Sequence, residues 1–258
     1  MDRDYHFLTT ADIKEREPED HSIAGIEEAT RYCQGTSYPD NSDYLLFARE
    51  LDIHFQLRGK NIAEFCTGPG NLAYVICGYN PETMLAIDAS QEMLRRASMK
   101  HKHEKLIFKQ DDLFKLRCKK DHYDLVVCQN SMHHFDDEML FDFFHAGLDC
   151  LRPGGVFYIS DYRREEINGD ILSDRLRGTN AKVRQDLIRT LQASYTRDEL
   201  MPVLNDLGEL AQWEVYFPDW ELAELKKDPG FQAVVAADPH PHVLDYDLSL
   251  RVKIQKTG

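Results

Sequence analysis

No stretch of the 258-residue chain approaches the roughly 20 apolar residues of a membrane span, so no membrane partner is expected. The charged start Met1-Asp2-Arg3-Asp4-Tyr5-His6 has no apolar signal core after it, which suggests a cytoplasmic protein. Basic residues are scarce: 31 Lys and Arg against 45 Asp and Glu leave a formal charge of −14. That balance argues against a broad footprint on nucleic acid, and a small-molecule partner is expected instead. Cysteines are few and scattered (Cys33, Cys66, Cys77, Cys118, Cys128, Cys150), and no two form a Cys-x-x-Cys pair, as suits a reducing compartment. Fourteen Gly and ten Pro exclude a collagen-like or low-complexity chain. What is present is core material: 42% hydrophobic and 10% aromatic residues, enough for one or two folded domains.

The first sixty residues read as helical and polar, with Asn41-Ser42 capping a helix through Asp43–Leu51. From Asn61 short apolar runs alternate with amphipathic stretches, the pattern of βαβ units and a parallel sheet. Strand candidates are 62–66, 84–88, 106–108, 123–128 and 156–161, with a helix around Met139–Leu151 stopped by Arg152-Pro153-Gly154-Gly155. Runs this apolar suit strands covered by helices on both faces. Thr196-Arg197-Asp198-Glu199 is a capping box opening a helix towards Leu207, and 213–217 is a sixth strand. Leu248, Leu250, Val252 and Ile254 alternate with Ser249, Arg251, Lys253 and Gln255, the period of a half-exposed antiparallel strand. Residues 162–195 read as a helical insertion or cap.

In open parallel sheets ligands bind outside the carboxyl ends of the strands, where strand order reverses. The first strand ends in Glu64-Phe65-Cys66-Thr67-Gly68-Pro69-Gly70-Asn71, whose glycines let the backbone turn tightly beside a ligand. The second ends in Asp88, a carboxylate suited to both hydroxyls of a ribose. Together they indicate a nucleoside-containing cofactor. Gly68-Pro69-Gly70-Asn71-Leu72-Ala73 also fits the loose dinucleotide pattern, so the glycines alone do not discriminate. Charge does: Glu64 stands where a dinucleotide would place its pyrophosphate, whereas S-adenosylmethionine presents a cationic sulfonium and ammonium and no phosphate.

Four segments, in this order and spacing, carry a resemblance: Glu64–Gly70, Asp88-Ala89-Ser90-Gln91-Glu92-Met93-Leu94, Gln110-Asp111-Asp112-Leu113, and Leu151-Arg152-Pro153-Gly154-Gly155. Over roughly residues 40–160 the chain resembles the class I S-adenosylmethionine-dependent methyltransferases, nearest the small-molecule group with the generic methyltransferase domain. The resemblance implies an α/β, Rossmann-like, seven-stranded, mostly parallel sheet with an antiparallel C-terminal strand pair. It implies a lid over residues 1–60 and a domain over 61–258 with a helical cap at about 162–195; Tyr32 and Tyr38 fall where related enzymes close a lid and read equally as surface aromatics. By position Glu64, Cys66, Gly68 and Gly70 would line the methionine part of the cofactor, and Asp88 with Ala89 would meet the ribose, Met93 lying on the helix behind. Asp112, or else Asp111, would take the adenine amino group with Leu113 against the ring, and Gln129 would face the methionyl end. The family usually has glycine where this chain has Cys66.

Strand four continues into Gln129-Asn130-Ser131-Met132-His133-His134-Phe135, the segment that faces the donor methyl in the family. His133 or His134 is a candidate general base for an acceptor that must lose a proton; the plainer reading is a structural pair at a strand–helix junction. Asp161 reads equally as reaching substrate or as capping the next turn. Residues 163–197 carry eight Lys or Arg against five Asp or Glu, suited either to an anionic acceptor or to a solvated helix face. His240, His242 and Asp245 invite a metal, but prolines hold them in an extended loop with no further ligand at metal-site spacing, so no metal is expected. A nicotinamide-dependent oxidoreductase and a non-catalytic methyltransferase-fold subunit are the alternatives from other classes. The acceptor and the oligomeric state stay open.

Overall fold

The computed structural model describes residues 16–17, 27, 42–116, 119–164, 181–229, 232–233 and 248–258. Tyr32, Tyr38 and the loop with His240 and His242 lie outside them. The elements are α1 (Ser42–Phe55), β1 (Asn61–Phe65), α2 (Asn71–Cys77), β2 (Thr83–Asp88), α3 (Gln91–Lys100), β3 (Leu106–Gln110) and β4 (Tyr123–Gln129). They continue with α4 (Asp137–Cys150), β5 (Leu151–Tyr162), α5 (Ala181–Ala193), α6 (Arg197–Asn205), β6 (Ala211–Tyr216), α7 (Asp219–Leu225) and β7 (Ser249–Lys256).

Seven strands form one sheet in the order β3-β2-β1-β4-β5-β7-β6. β1 to β5 are parallel, and β7 runs antiparallel to both of its neighbours. Successive residues of β1 serve opposite faces, as a period of two requires. Ala63 and Phe65 join Val126, Cys128 and Phe157 under Leu140, Phe143 and Phe144 of α4. Ile62 joins Leu125, Val127 and Tyr158 under Phe47 and Leu51 of α1 and Leu72 and Ile76 of α2. Strand order reverses between β1 and β4, so the binding crevice opens above the carboxyl ends of those two strands.

Local chemistry sets the boundaries. Ser90 caps α3 by accepting the Met93 N–H, and Thr196 and Glu199 form the reciprocal capping box on α6 that the sequence displays. β5 begins at Leu151, five residues ahead of the expected strand, because Tyr123 pairs with Leu151 before a register shift across Pro153-Gly154. β7 is not half-exposed. It lies between β5 and β6 with Ser249 and Arg251 buried, since Arg251 spends its charge on Glu50 of α1 at 2.6 Å. Cys66, Cys77 and Cys128 are free thiols, and Cys150 is disulfide-bonded. No helix among the described residues is long and apolar enough to cross a membrane.

Candidate active site

The turn after β1 is built from its glycines. Gly68 has φ +52 and Gly70 has φ +71, in the left-handed region open to glycine. A Cβ on Gly70 would also stand 2.6 Å from the Phe108 ring, so the turn packs directly on β3. A Cβ on Gly68 would meet nothing within 4 Å: this edge of the turn faces open space where a ligand can approach the backbone. Cys66 sits at φ +56, which explains why glycine is usual there and costs this chain on the order of 1 kcal/mol.

Asp88 ties the turn to β2. One carboxylate oxygen accepts the Gly68 N–H at 2.7 Å and the other the Ser90 N–H at 2.8 Å. Burial raises its pKa and those two donors oppose the rise. Each oxygen keeps a further lone pair for a hydroxyl. Ala89, next to it, is exposed, and Met93 is buried in α3 behind it.

Glu64 is a different carboxyl. It is 4% exposed and accepts the Thr67 hydroxyl at 2.6 Å. Burial pushes its pKa up to about 8, opposed by the Thr67 hydroxyl and the Ala73 N–H, with the Asp88 charge raising it further. A carboxyl that holds its proton more tightly folded than unfolded favours folding at low pH. Stability from Glu64 is therefore full below about pH 4.5 and is lost as pH climbs to about 8. Glu64→Gln is expected to flatten that slope in urea titrations run from pH 5 to 9; an unchanged slope would refute the assignment.

In the loop after β3 the Asp111 N–H donates to the Asp88 carbonyl at 3.1 Å, bringing that loop beside β2. Asp111 pairs with Lys109 at 2.6 Å. Asp112 caps the 3-10 turn Leu113–Lys115 and pairs with Lys115, which holds its pKa below the usual carboxylate range. Leu113 is buried, and Phe114 stands edge-on to Phe135 at 5.6 Å. This contact joins the loop after β3 to the segment after β4.

That segment opens with Gln129, whose Oε1 is buried and has no hydrogen-bond partner among the described residues. A 3-10 turn, Met132–His134, follows. The His133 Nδ1 lies 2.7 Å from the Asp161 carboxylate at the end of β5, and the His133 backbone N–H donates to the same group at 3.0 Å. The Tyr162 N–H adds a third donor at 2.7 Å. His133 is 3% exposed and Asp161 fully buried, while the His134 ring lies 4.1 Å from that of His133. Arg16, far away in sequence, braces this turn: its guanidinium donates to the carbonyls of His133 (3.2 Å), Phe135 (2.6 Å) and Ala193 (2.8 Å) and lies over the Tyr195 ring.

The residues suit an adenosine with a positively charged tail. The turn has an open glycine edge, Gln129 ending β4 holds an acceptor without a hydrogen-bond partner among the described residues, and two acidic side chains, Glu64 and Asp88, flank the turn. Among the described residues no group of three or more His, Cys, Asp or Glu is placed to hold a metal ion. Sequence reasoning named Asp161 only as one of two readings and did not connect it to His133; it missed Arg16 altogether.

An open seven-stranded sheet with this order, a glycine turn after β1 and an acid ending β2 defines the class I methyltransferase fold. Residues 62–155 match the model of a family described as a methyltransferase domain. Solved structures share the architecture. The plantazolicin methyltransferase BpumL, in complex with a triazolic desmethylPZN analog and SAH, is 18% identical at TM-score 0.65 over 90% of this chain and 91% of its own. The related BamL complex is 14% identical at TM-score 0.65 over 92% and 93%. An S-adenosylmethionine-dependent methyltransferase of Mesorhizobium loti is 19% identical at TM-score 0.52 over 82% and 98%. The sequence matches none of the curated proteins.

Proposed function

We propose that the protein transfers the methyl group of S-adenosylmethionine to a small-molecule acceptor, with His133 taking the acceptor's proton and Asp161 holding the imidazole. The observation that carries this reading is the buried His133–Asp161 pair at the carboxyl ends of β4 and β5, beside the crevice. An ionised carboxylate on Nδ1 fixes the tautomer with Nε2 unprotonated and stabilises the imidazolium that forms. The donor supplies an activated methyl on a good leaving group, so placing the two reactants in line accounts for much of the acceleration. Glu64, Cys66, Gly68, Gly70 and Gln129 would border the methionyl part, Asp88 and Ala89 the ribose, and Asp112 or Asp111 with Leu113 the adenine. Met93 backs the ribose side from α3. His134, its ring tilted against that of His133, would form part of the wall between donor and acceptor.

Two measurements test this. Labelled-methyl S-adenosylmethionine offered with a panel of small hydroxyl, amine, carboxylate, thiol and azole compounds should yield labelled product with at least one class. Transfer confined to added protein or nucleic acid would sink the small-molecule reading. By calorimetry, Asp88→Ala should weaken donor binding by about 1.5–3 kcal/mol, or roughly 10- to 150-fold, through loss of a charged acceptor. An unchanged affinity would remove Asp88 from the ribose.

A further inference from the structure

His133 is held on two sides by residues distant in sequence. Its backbone N–H and its Nδ1 go to Asp161 of β5 at 3.0 and 2.7 Å, and its carbonyl accepts from the Arg16 guanidinium at 3.2 Å. These contacts take every polar atom of the residue except Nε2. The 3-10 turn cannot supply the second hold itself. It closes with the Phe135 N–H on the Met132 carbonyl, so the later carbonyls, of His133 and Phe135, take donors from outside the turn. One nitrogen of Arg16, Nη2, serves both, and Nε serves the Ala193 carbonyl at the end of α5 at 2.8 Å. The flat guanidinium lies 4.0 Å over the Tyr195 ring, whose hydroxyl donates to the same Phe135 carbonyl at 2.7 Å. The next residue, Glu17, donates its N–H to the Gln192 carbonyl at 3.0 Å, which fastens the chain around Arg16 to α5. One cation from outside residues 62–155 therefore ties the N-terminal segment, the end of α5 and the turn bearing His133 together.

We propose that Arg16 is a positioning residue for methyl transfer: it fixes the carbonyl side of His133 while Asp161 fixes the ring, so that Nε2 keeps one direction. This rests on the reading that His133 takes the acceptor's proton. Asp161 alone leaves the turn free to rotate about the contacts at its N–H side. Without Arg16 the His133 and Phe135 carbonyls turn towards water and the ring follows the backbone. A displacement of about 1 Å is enough to cost about 100-fold in a step that depends on alignment. Lysine replaces this only in part, because a single ammonium has no second nitrogen for Ala193 and no planar face to lay on Tyr195. The donor side is untouched, since Gly68 and Asp88 are held to each other and not by Arg16.

The experiment compares full-length wild type, Arg16→Met, Arg16→Lys, His133→Ala and the double variant of Arg16→Met with His133→Ala. Donor binding is read by calorimetry with S-adenosylmethionine, and transfer with the labelled donor and the most active compound of the acceptor panel. Arg16→Met should lower kcat by about 10- to 100-fold. Donor affinity and acceptor KM should stay within about threefold, and Arg16→Lys should recover part of the loss. In the His133→Ala background Arg16→Met should remove no more than about a further twofold, because residues that act as a unit are not additive. NMR of nitrogen-labelled histidine reads the ring without an acceptor, the His133 signals being those that His133→Ala deletes. They should form one set in wild type and broaden or split in Arg16→Met. Full activity of Arg16→Met, donor affinity falling in step with kcat, an additive loss on top of His133→Ala, or an unchanged His133 ring spectrum each overturns the inference. With His133→Ala itself impaired, those results leave the base reading standing; full activity of His133→Ala overturns both. Should Arg16→Met fail to fold, full activity of Arg16→Lys with unchanged ring signals overturns the inference. Should no panel compound be methylated, the ring spectrum decides alone.

Discussion

Replacing His133 with alanine is expected to lower methyl transfer by 10²–10⁴-fold, the usual worth of a positioned general base, while donor affinity moves by no more than about threefold. The separation follows from the geometry. His133 is held through Nδ1 by Asp161 of β5, whereas Gly68 is held by Asp88 of β2, so removing the ring leaves the Gly68–Asp88 contact in place. Asp161→Asn should also fall, because the amide no longer dictates the tautomer, yet by less than loss of the ring itself. That variant separates roles: an effect on turnover with cofactor binding intact marks Asp161 as a positioning residue, whereas equal loss of both marks it as a structural support. His134→Ala, which removes the neighbouring ring without touching the Asp161 contact, is expected to be the milder change. Full activity in both His133→Ala and His134→Ala would end the base hypothesis and leave transfer to positioning alone.

The strands, the helix caps and the glycine turn after β1 were legible because their signals are local. Ile62–Phe65 and Leu125–Cys128 alternate between two apolar faces, Ser90 and Thr196 announce the helices they cap, and Gly68 and Asp88 lie twenty positions apart on adjoining strand ends. What stayed hidden depends on pairs distant in sequence. His133 and Asp161 are 28 positions apart, Glu50 and Arg251 201, and no local pattern joins either pair. The alternation in β7 marked an amphipathic strand, but it could not reveal that Arg251, on the polar side, is buried against α1. Glu64 shows the same limit in its charge. From sequence it reads as a carboxylate that attracts a cation; only its burial in the fold pushes its pKa up to about 8.

Truncating Glu50 to alanine is expected to cost about 3–5 kcal/mol of folding stability, the toll of a buried ion pair that loses one member. Glu50 and Arg251 are 1% and 2% exposed, and they meet through two parallel contacts of 2.6 and 2.8 Å. The Tyr158 hydroxyl donates to Glu50 at 2.7 Å, and Arg251 also donates to Ser249 and to the Leu250 carbonyl. Arginine cannot shed its charge, so Glu50→Ala leaves a cation in the core without this carboxylate. The paired change Glu50→Leu with Arg251→Met removes both charges and should recover much of the loss in urea denaturation. Additive losses in the double variant, or singles below about 1 kcal/mol, would show that the pair is not the fastening it looks like. The pair also bears on catalysis: Arg251 is in register with Ser160, one rung from Asp161 opposite Leu250. Loosening α1 from β7 should therefore reach the His133–Asp161 contact before the glycine turn on β1. Near its unfolding threshold Glu50→Ala should lose turnover while it still binds S-adenosylmethionine.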